Sequence, residues 1–266
     1  MDITEQFRAL ATILRKEIHR FLRIWMQTLI PPAIMIMLYF IIFGEIIGSR
    51  IGGMKIGKET FDYMQFMVPG LIMMSVISNS YSNVVSSFFG QKFARSVEEL
   101  LITPLPNYII LIGWVLGGVA RGLMVGGIVT VVSLFFSELT VVNWPLAIFV
   151  VFLTSVLFSL GGFLNALFAE SFDDISIVPT FVLQPLIYLG GVFYSIALLP
   201  EPFKTISLAN PILYMVNAFR HAILGVSDLA SLGISLNMAI GMILFFIVLF
   251  TSISLWLLNT GKGIRS

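Results

Sequence analysis

Residues 108–136 read YIILIGWVLGGVARGLMVGGIVTVVSLFF. The run exceeds the roughly 20 mostly apolar residues that cross a bilayer core of about 30 Å, and Arg121 is its one charged side chain. It is read as a transmembrane helix. Gly113, Gly117, Gly118, Gly122 and Gly126 give overlapping G-x-x-x-G spacings. Small residues at that spacing let helix backbones approach closely, within or between subunits, although glycine is frequent in membrane helices generally. Arg121 sits well inside the run. A charge there is costly and marks a functional or paired site, so a salt bridge, a snorkelling side chain and a substrate contact all stand as readings.

The whole chain agrees with this segment. Its 266 residues are 58% hydrophobic and 11% charged, and mean hydropathy is +1.00, whereas soluble domains are about 45–50% apolar and about 25% charged. Net charge of +1 points away from nucleic acid. The absence of cysteine excludes disulfides and thiolate chemistry, and His19 and His221 offer little to a metal. No catalytic or metal site is expected.

Five further stretches have bilayer length: about 25–47, 64–89, 145–169, 176–195 and 237–258. The expected fold is an all-α polytopic membrane protein of six transmembrane helices in one domain, 1–266. It divides into an N-terminal segment 1–24, a core 25–258 and a tail 259–266. An even number of spans puts both termini on one side. That side holds Arg8, Arg15, Lys16, Arg20, Arg23, Lys92, Arg95, Lys262 and Arg265; the other holds Arg50, Lys55, Lys58, Lys204 and Arg220. The positive-inside rule places the richer set, and both termini, in the cytoplasm.

MDITEQFRAL lacks the pattern of a cleaved signal. In residues 5–23, Phe7, Leu10, Leu14, Ile18 and Phe21 recur at helical spacing, with Arg8, Arg15, Arg20 and Arg23 on other faces. That is the pattern of an amphipathic interfacial helix; a solvated basic leader is the alternative. Pro31 and Pro32 should kink or start the first span. The outer stretch 196–236 carries Pro200, Pro202 and Pro211 and is too apolar for a solvated loop. It is expected to dip into the membrane as re-entrant helices between spans 5 and 6, under protein cover.

In span 2, Ser75, Asn79, Asn83 and Ser86 fall on one helical face. Such a stripe binds neighbouring helices or lines a substrate path, which Arg121 would join. Asn165 and Gln184 read as isolated packing contacts. Residues 52–60, GGMKIGKET, approach the phosphate-binding pattern G-x-x-x-x-G-K-[ST], but Glu59 stands where the hydroxyl belongs and no buried strand precedes it. A flexible polar loop is the better reading. Neither a G-x-S-x-G turn nor H-E-x-x-H is present, and the carboxylates lie near span ends or in loops rather than buried as a proton relay would need.

Between spans 2 and 3 lies SVEELLITPLP, 96–106. Ser96 and Glu99 have capping-box spacing, Leu100 and Leu101 supply an apolar side, and Pro104 and Pro106 stop the helix. A short capped helix there is an ordinary connector, or a handle by which a soluble partner moves the membrane helices.

EELLITPLPNYIIL resembles the segment after the second span in ABC-2 type permeases, the membrane subunits of ATP-binding-cassette exporters. NPILYMVNAFR, 210–220, resembles that family's motif before the last span, with Asn210, Pro211, Tyr214 and Arg220 in the matching places. KEIHRFLRIWMQTLIPP, YMQFMVPGLIMMSV, FDDISIVPTFVL and YLGGVFYS extend the similarity over nearly the whole chain. The resemblance implies a permease in the bacterial inner membrane that works as a homodimer with two copies of a separate ABC ATPase subunit. Arg95, Ser96, Glu98, Glu99, Leu100 and Leu101 would then form the coupling helix on the ATPase. ATP and magnesium would belong to that partner, leaving this chain neither enzyme nor cofactor binder. The expected activity is export of a hydrophobic or amphipathic substrate of the drug, lipid or glycolipid class. A secondary transporter and a membrane scaffold are the alternatives.

Overall fold

The computed structural model describes residues 2–48, 53–56, 59–101, 103–261 and 263, apart from the side chains of Glu45, Ile47, Lys55, Glu98, Leu100, Leu101 and Ser231. Helix α1 (Ile3–Arg23) opens with a capping box, in which the Asp2 and Glu5 side chains and backbones bond reciprocally. A tight corner follows through α2 (Trp25–Thr28), pinned by the Thr28 hydroxyl donating to the Phe21 carbonyl at 2.9 Å. Pro31 and Pro32 then start α3 (Ile30–Tyr39), where a missing amide hydrogen costs nothing, and the helix continues as a π-helical stretch, Phe40–Gly48.

Strands β1 (Met54–Ile56) and β2 (Glu59–Phe61) pair antiparallel, Lys55 opposite Thr60. The stretch expected to be a flexible loop is therefore in part a hairpin, and Met54 and Ile56 are buried. Of the near-match to a phosphate loop, Gly52, Gly57 and Lys58 lie outside the described residues, as do Arg50, Lys262 and Arg265.

Helix α4 (Tyr63–Phe93) is the 31-residue axis of the bundle. Next come the short α5 (Ser96–Leu101), then α6 (Asn107–Ser133) and α7 (Trp144–Phe168), which pack on α4 and on each other. Phe88, Trp114 and Phe163 join the three, with ring centroids 5.2 and 4.4 Å from Phe88. The glycine spacings serve contacts within the chain. Gly113 and Gly117 abut Ile13 and Glu17 of α1, while Gly118 and Gly122 lie against Ser80, Val84, Ser155 and Ser159 of α4 and α7. A β-carbon at Gly122 would collide with the Ser80 and Ser155 hydroxyls.

The expected span 176–195 is shorter. Helix α8 (Asp174–Val178), a π turn (Pro179–Leu183) and α9 (Gln184–Tyr188) run on continuously, but cover only about 22 Å at 1.5 Å per residue. Pro179 and Pro185 account for the irregularity. Beyond it stand a 3₁₀ turn (Ile196–Leu198), α10 (Phe203–Leu208), α11 (Pro211–Leu224), a second 3₁₀ turn (Asp228–Leu232) and α12 (Leu236–Thr260). Four helical runs among the described residues are long and apolar enough to cross a membrane: Trp25–Gly44, α6, α7 and α12. Helix α4 has the length, but its polar residues set it apart in composition.

Hydrogen bonds sort the connections into two ends. At one, Tyr108 donates to Gln6, Lys16 to Gln91, and Asn107 to Asn259, while Lys92 donates to the carbonyls of Leu167 and Ala169 at 2.6 and 2.8 Å. At the other, the amides of Val142 and Asn143 donate to Ile223 and Ala222. Helix α1 lies lengthwise in the groove between α4 and α6.

Candidate functional site

Helix α5 emerges from a sharp corner at the first end. Arg95 has φ +57°, a left-handed conformation rare for a residue with a β-carbon, and its amide donates to the Lys92 carbonyl at 2.9 Å. The Ser96 hydroxyl donates back to the Gln91 carbonyl at 3.1 Å. It thus ties the start of α5 back to the end of α4. Val97, which sequence reasoning passed over, is 1% exposed and anchors the helix, while Glu99 is exposed. The side chains of Glu98, Leu100 and Leu101 lie outside the described residues. Nearby, Asp174 accepts from the Glu170 and Ser171 amides at 2.9 Å each. These backbone donors hold its carboxyl below the usual range.

The polar stripe of span 2 divides into two rows. Ser75, Asn79 and Asn83 are buried, and Ser86 is exposed. The first three are packed inside the bundle in this structure. Asn79 Oδ1 accepts from Arg121 at 3.0 Å, and Asn83 accepts from Arg20 through its Oδ1 at 2.8 Å and its carbonyl at 2.9 Å. Glu17, fully buried where α1 meets α4 and α6, accepts from the Ser87 hydroxyl at 2.7 Å and faces Arg20 at 3.4 Å. The accessible row is Ser78, Ser82 and Ser86. Ser78 and Ser82 were missed, although their spacing of four was visible.

Helix α1 turns a mixed face inward, with Phe21 beside Glu17, while Arg8, Arg15, Lys16, His19 and Arg23 are exposed. Glu17, Arg20 and Ile13 face the bundle, Phe7 is 71% exposed, and Leu14 and Ile18 are half-exposed. Of the expected apolar stripe only Phe21 is fully buried.

At the opposite end the 210–220 segment builds its own framework. Asn210 caps α11, accepting from the Ile212 amide at 3.0 Å and donating to the Leu186 carbonyl at 2.6 Å. Pro211 occupies the first turn, and the Tyr214 hydroxyl donates to Leu208 at 2.7 Å. Arg220, 0% exposed, pairs with Asp228 at 3.5 Å, donates to the Gly191 carbonyl at 2.8 Å and stacks over Phe66 at 3.9 Å. Asn217 adds a bond from the Asp228 amide at 3.1 Å. Its role was not read from sequence, though it lies in the quoted motif. A cavity of about 390 Å³ lined by Tyr81, Leu157, Leu186, Ile212, Phe246 and Phe250 opens beside α11; Asn165 borders it and donates to Ile175, and Gln184 is half-buried outside it. Among the described residues no group of three metal ligands occurs.

An apolar bundle with several helices of bilayer length and buried ionic contacts is the architecture of a polytopic membrane protein. The chain belongs to the ABC-2 type transporter family, which matches residues 8–224. It is 56% identical over 258 residues, 97% of each chain, to the inner membrane transport permease YadH of Escherichia coli K12 and equally to that of Shigella flexneri. Nodulation protein J of Sinorhizobium fredii is 24% identical over 182 residues, 67% of this chain and 68% of that one. The chain is accordingly a multi-pass inner-membrane permease subunit of an ABC transporter, and an ABC ATPase and the bilayer are its partners.

Proposed function

We propose that this chain forms the membrane half of an exporter: two copies pair, and two ATPase subunits dock on α5 and drive a hydrophobic or amphipathic molecule outward. The drug, lipid and glycolipid classes all fit. The observation that carries the reading is α5 itself. It is a short helix anchored by Val97 and joined to the axis of the bundle by the two-residue corner Ala94–Arg95, with Arg95 left-handed, so force on it reaches α4 through that corner. Arg95, Ser96, Glu98, Glu99, Leu100 and Leu101 form the coupling element.

In this reading α4 and the α8–α9 segment are spans 2 and 5, giving six. The end carrying α5 and both termini faces the cytoplasm, and α1 presents Phe7, Leu14 and Ile18 to the membrane interface. Segment 196–224 is re-entrant. Asn210 reaches Leu186, and Ile212 shares a cavity with Tyr81 and Phe246, residues well inside α4 and α12. Substrate follows the accessible row Ser78, Ser82, Ser86, with Ser75, Asn79, Asn83 and Arg121 shaping the wall behind it. ATP and magnesium stay with the partner; ATP-driven rearrangement opens the dimer interface outward.

Co-purification in detergent with subunit quantification, followed by ATPase assays, tests this. The expected result is a stoichiometric ATPase whose binding or hydrolysis weakens in Glu98→Ala/Glu99→Ala. Transport that persists without the ATPase would replace the reading with a secondary transporter, and an ATPase complex that never responds to substrate would replace it with a scaffold.

A further inference from the structure

Asn79 and Asn83 are four residues apart on α4 and therefore neighbours on one face. Arg121 hangs from the first and Arg20 from the second, within each other's electrostatic reach. Like charges in a poorly solvated place repel and are expensive to keep. Among the described residues Glu17 is the only carboxylate paired with either of them, and it pairs with Arg20 alone; its other oxygen accepts from Ser87. Among the described residues no carboxylate lies within ion-pair distance of Arg121. The Nε of Arg20, the Nε of Arg121 and the side-chain amide nitrogen of Asn83 are buried without an acceptor. Donors and positive charge are in excess together. The place is also reachable, because the Arg20 side chain is 30% exposed, Arg121 is half-buried, and the adjoining residues Ser82 and Ser86 are open.

We propose that Arg20 and Arg121, held on adjacent turns of α4 by Asn83 and Asn79, bind the acidic group of an amphiphile, a phosphate or a carboxylate. The anion would supply the missing charge and accept from the guanidinium groups at their accessible side, while the apolar tail lies along the lipid-facing helices. The inference rests on these contacts alone, so it stands or falls independently of the direction of transport and of ATPase docking.

The test is native mass spectrometry of the full-length chain in detergent, titrated with phosphatidylglycerol, with phosphatidylcholine and with decyl phosphate. An acidic amphiphile should bind more tightly than the zwitterion. Binding should weaken about ten-fold or more in Arg121→Gln and in Arg20→Gln, from the loss of a charged contact, and persist in Arg121→Lys and in the exposed control Arg8→Gln. Retained phosphatidylglycerol would name a bilayer lipid as the occupant. Binding of decyl phosphate with no retained phospholipid would point to a transported molecule, and either result supports the site. Equal affinity for acidic and zwitterionic lipid, or binding that ignores both glutamine variants, would overturn it. If Arg121→Gln does not fold, Arg20→Gln/Glu17→Gln, which leaves no buried carboxylate unpaired, decides the matter.

Discussion

Arg220 and Arg121 both point into a membrane bundle, and both leave Nε without an acceptor, but their surroundings differ. Arg220 has a carboxylate, a backbone carbonyl and an aromatic face. Arg121 has the neutral Asn79 and a second arginine nearby. A compensated buried cation is a structural rivet, whereas an uncompensated one is an unfinished contact awaiting a ligand. From sequence the two look alike, since each is a lone arginine in an apolar stretch.

The contrast is easiest to break at Arg220. Replacing Arg220 with Gln strands the Asp228 carboxylate in the interior, and breaking a buried pair in this way costs about 3–5 kcal/mol. Thermal unfolding in detergent should show a large loss, partly restored in Arg220→Gln/Asp228→Asn. Next comes Gly122→Val, which forces α6 away from Ser80 and Ser155 beside Arg121. Overpacking of this kind costs about 1–3 kcal/mol, and the same assay should register it. Arg121→Gln should change stability by no more than about 1 kcal/mol, because the lost charged hydrogen bond is offset by relief of burial and repulsion. A loss there as large as at Arg220 would erase the distinction.

The smallest effect belongs to a charge satisfied chiefly by backbone amides. The folded-state pKa of Asp174 is depressed by the Glu170 and Ser171 amides. Its contribution is therefore complete above the unfolded value of about 3.9 and is lost as the pH falls through the lower folded value. Asp174→Asn should flatten the acid limb of the stability curve in a pH series.

The long apolar helices were legible because the bilayer requirement is a matter of length and composition. The inward contacts of α1, Glu17 with Ser87 and Arg20 with Asn83, were not read from sequence, because an amphipathic pattern locates the apolar stripe of a helix and not the polar residues that find partners on a neighbour. In α4 the spacing of Ser75, Asn79, Asn83 and Ser86 showed a shared face but not its depth: the first three are buried and Ser86 is exposed, because periodicity alone does not say which neighbour covers a helix. The motif residues Asn210, Pro211, Tyr214 and Arg220 were readable by resemblance, yet Asp228, eight residues beyond Arg220, could be paired with it only once the chain turned back after Gly225, at φ +77°. The interruption of the fifth span was written in Pro179 and Pro185 but yielded to an apolar count.

The corner at Arg95 also sets a mechanical ratio. Helix α4 spans 31 residues, about 46 Å, so tilting it rigidly by about 10° about one end sweeps the other through about 8 Å. If α5 is the coupling element proposed above, a push of molecular-contact size on it would be amplified along α4, and Arg20, bonded to Asn83 on that helix, would carry the N-terminal helix with it.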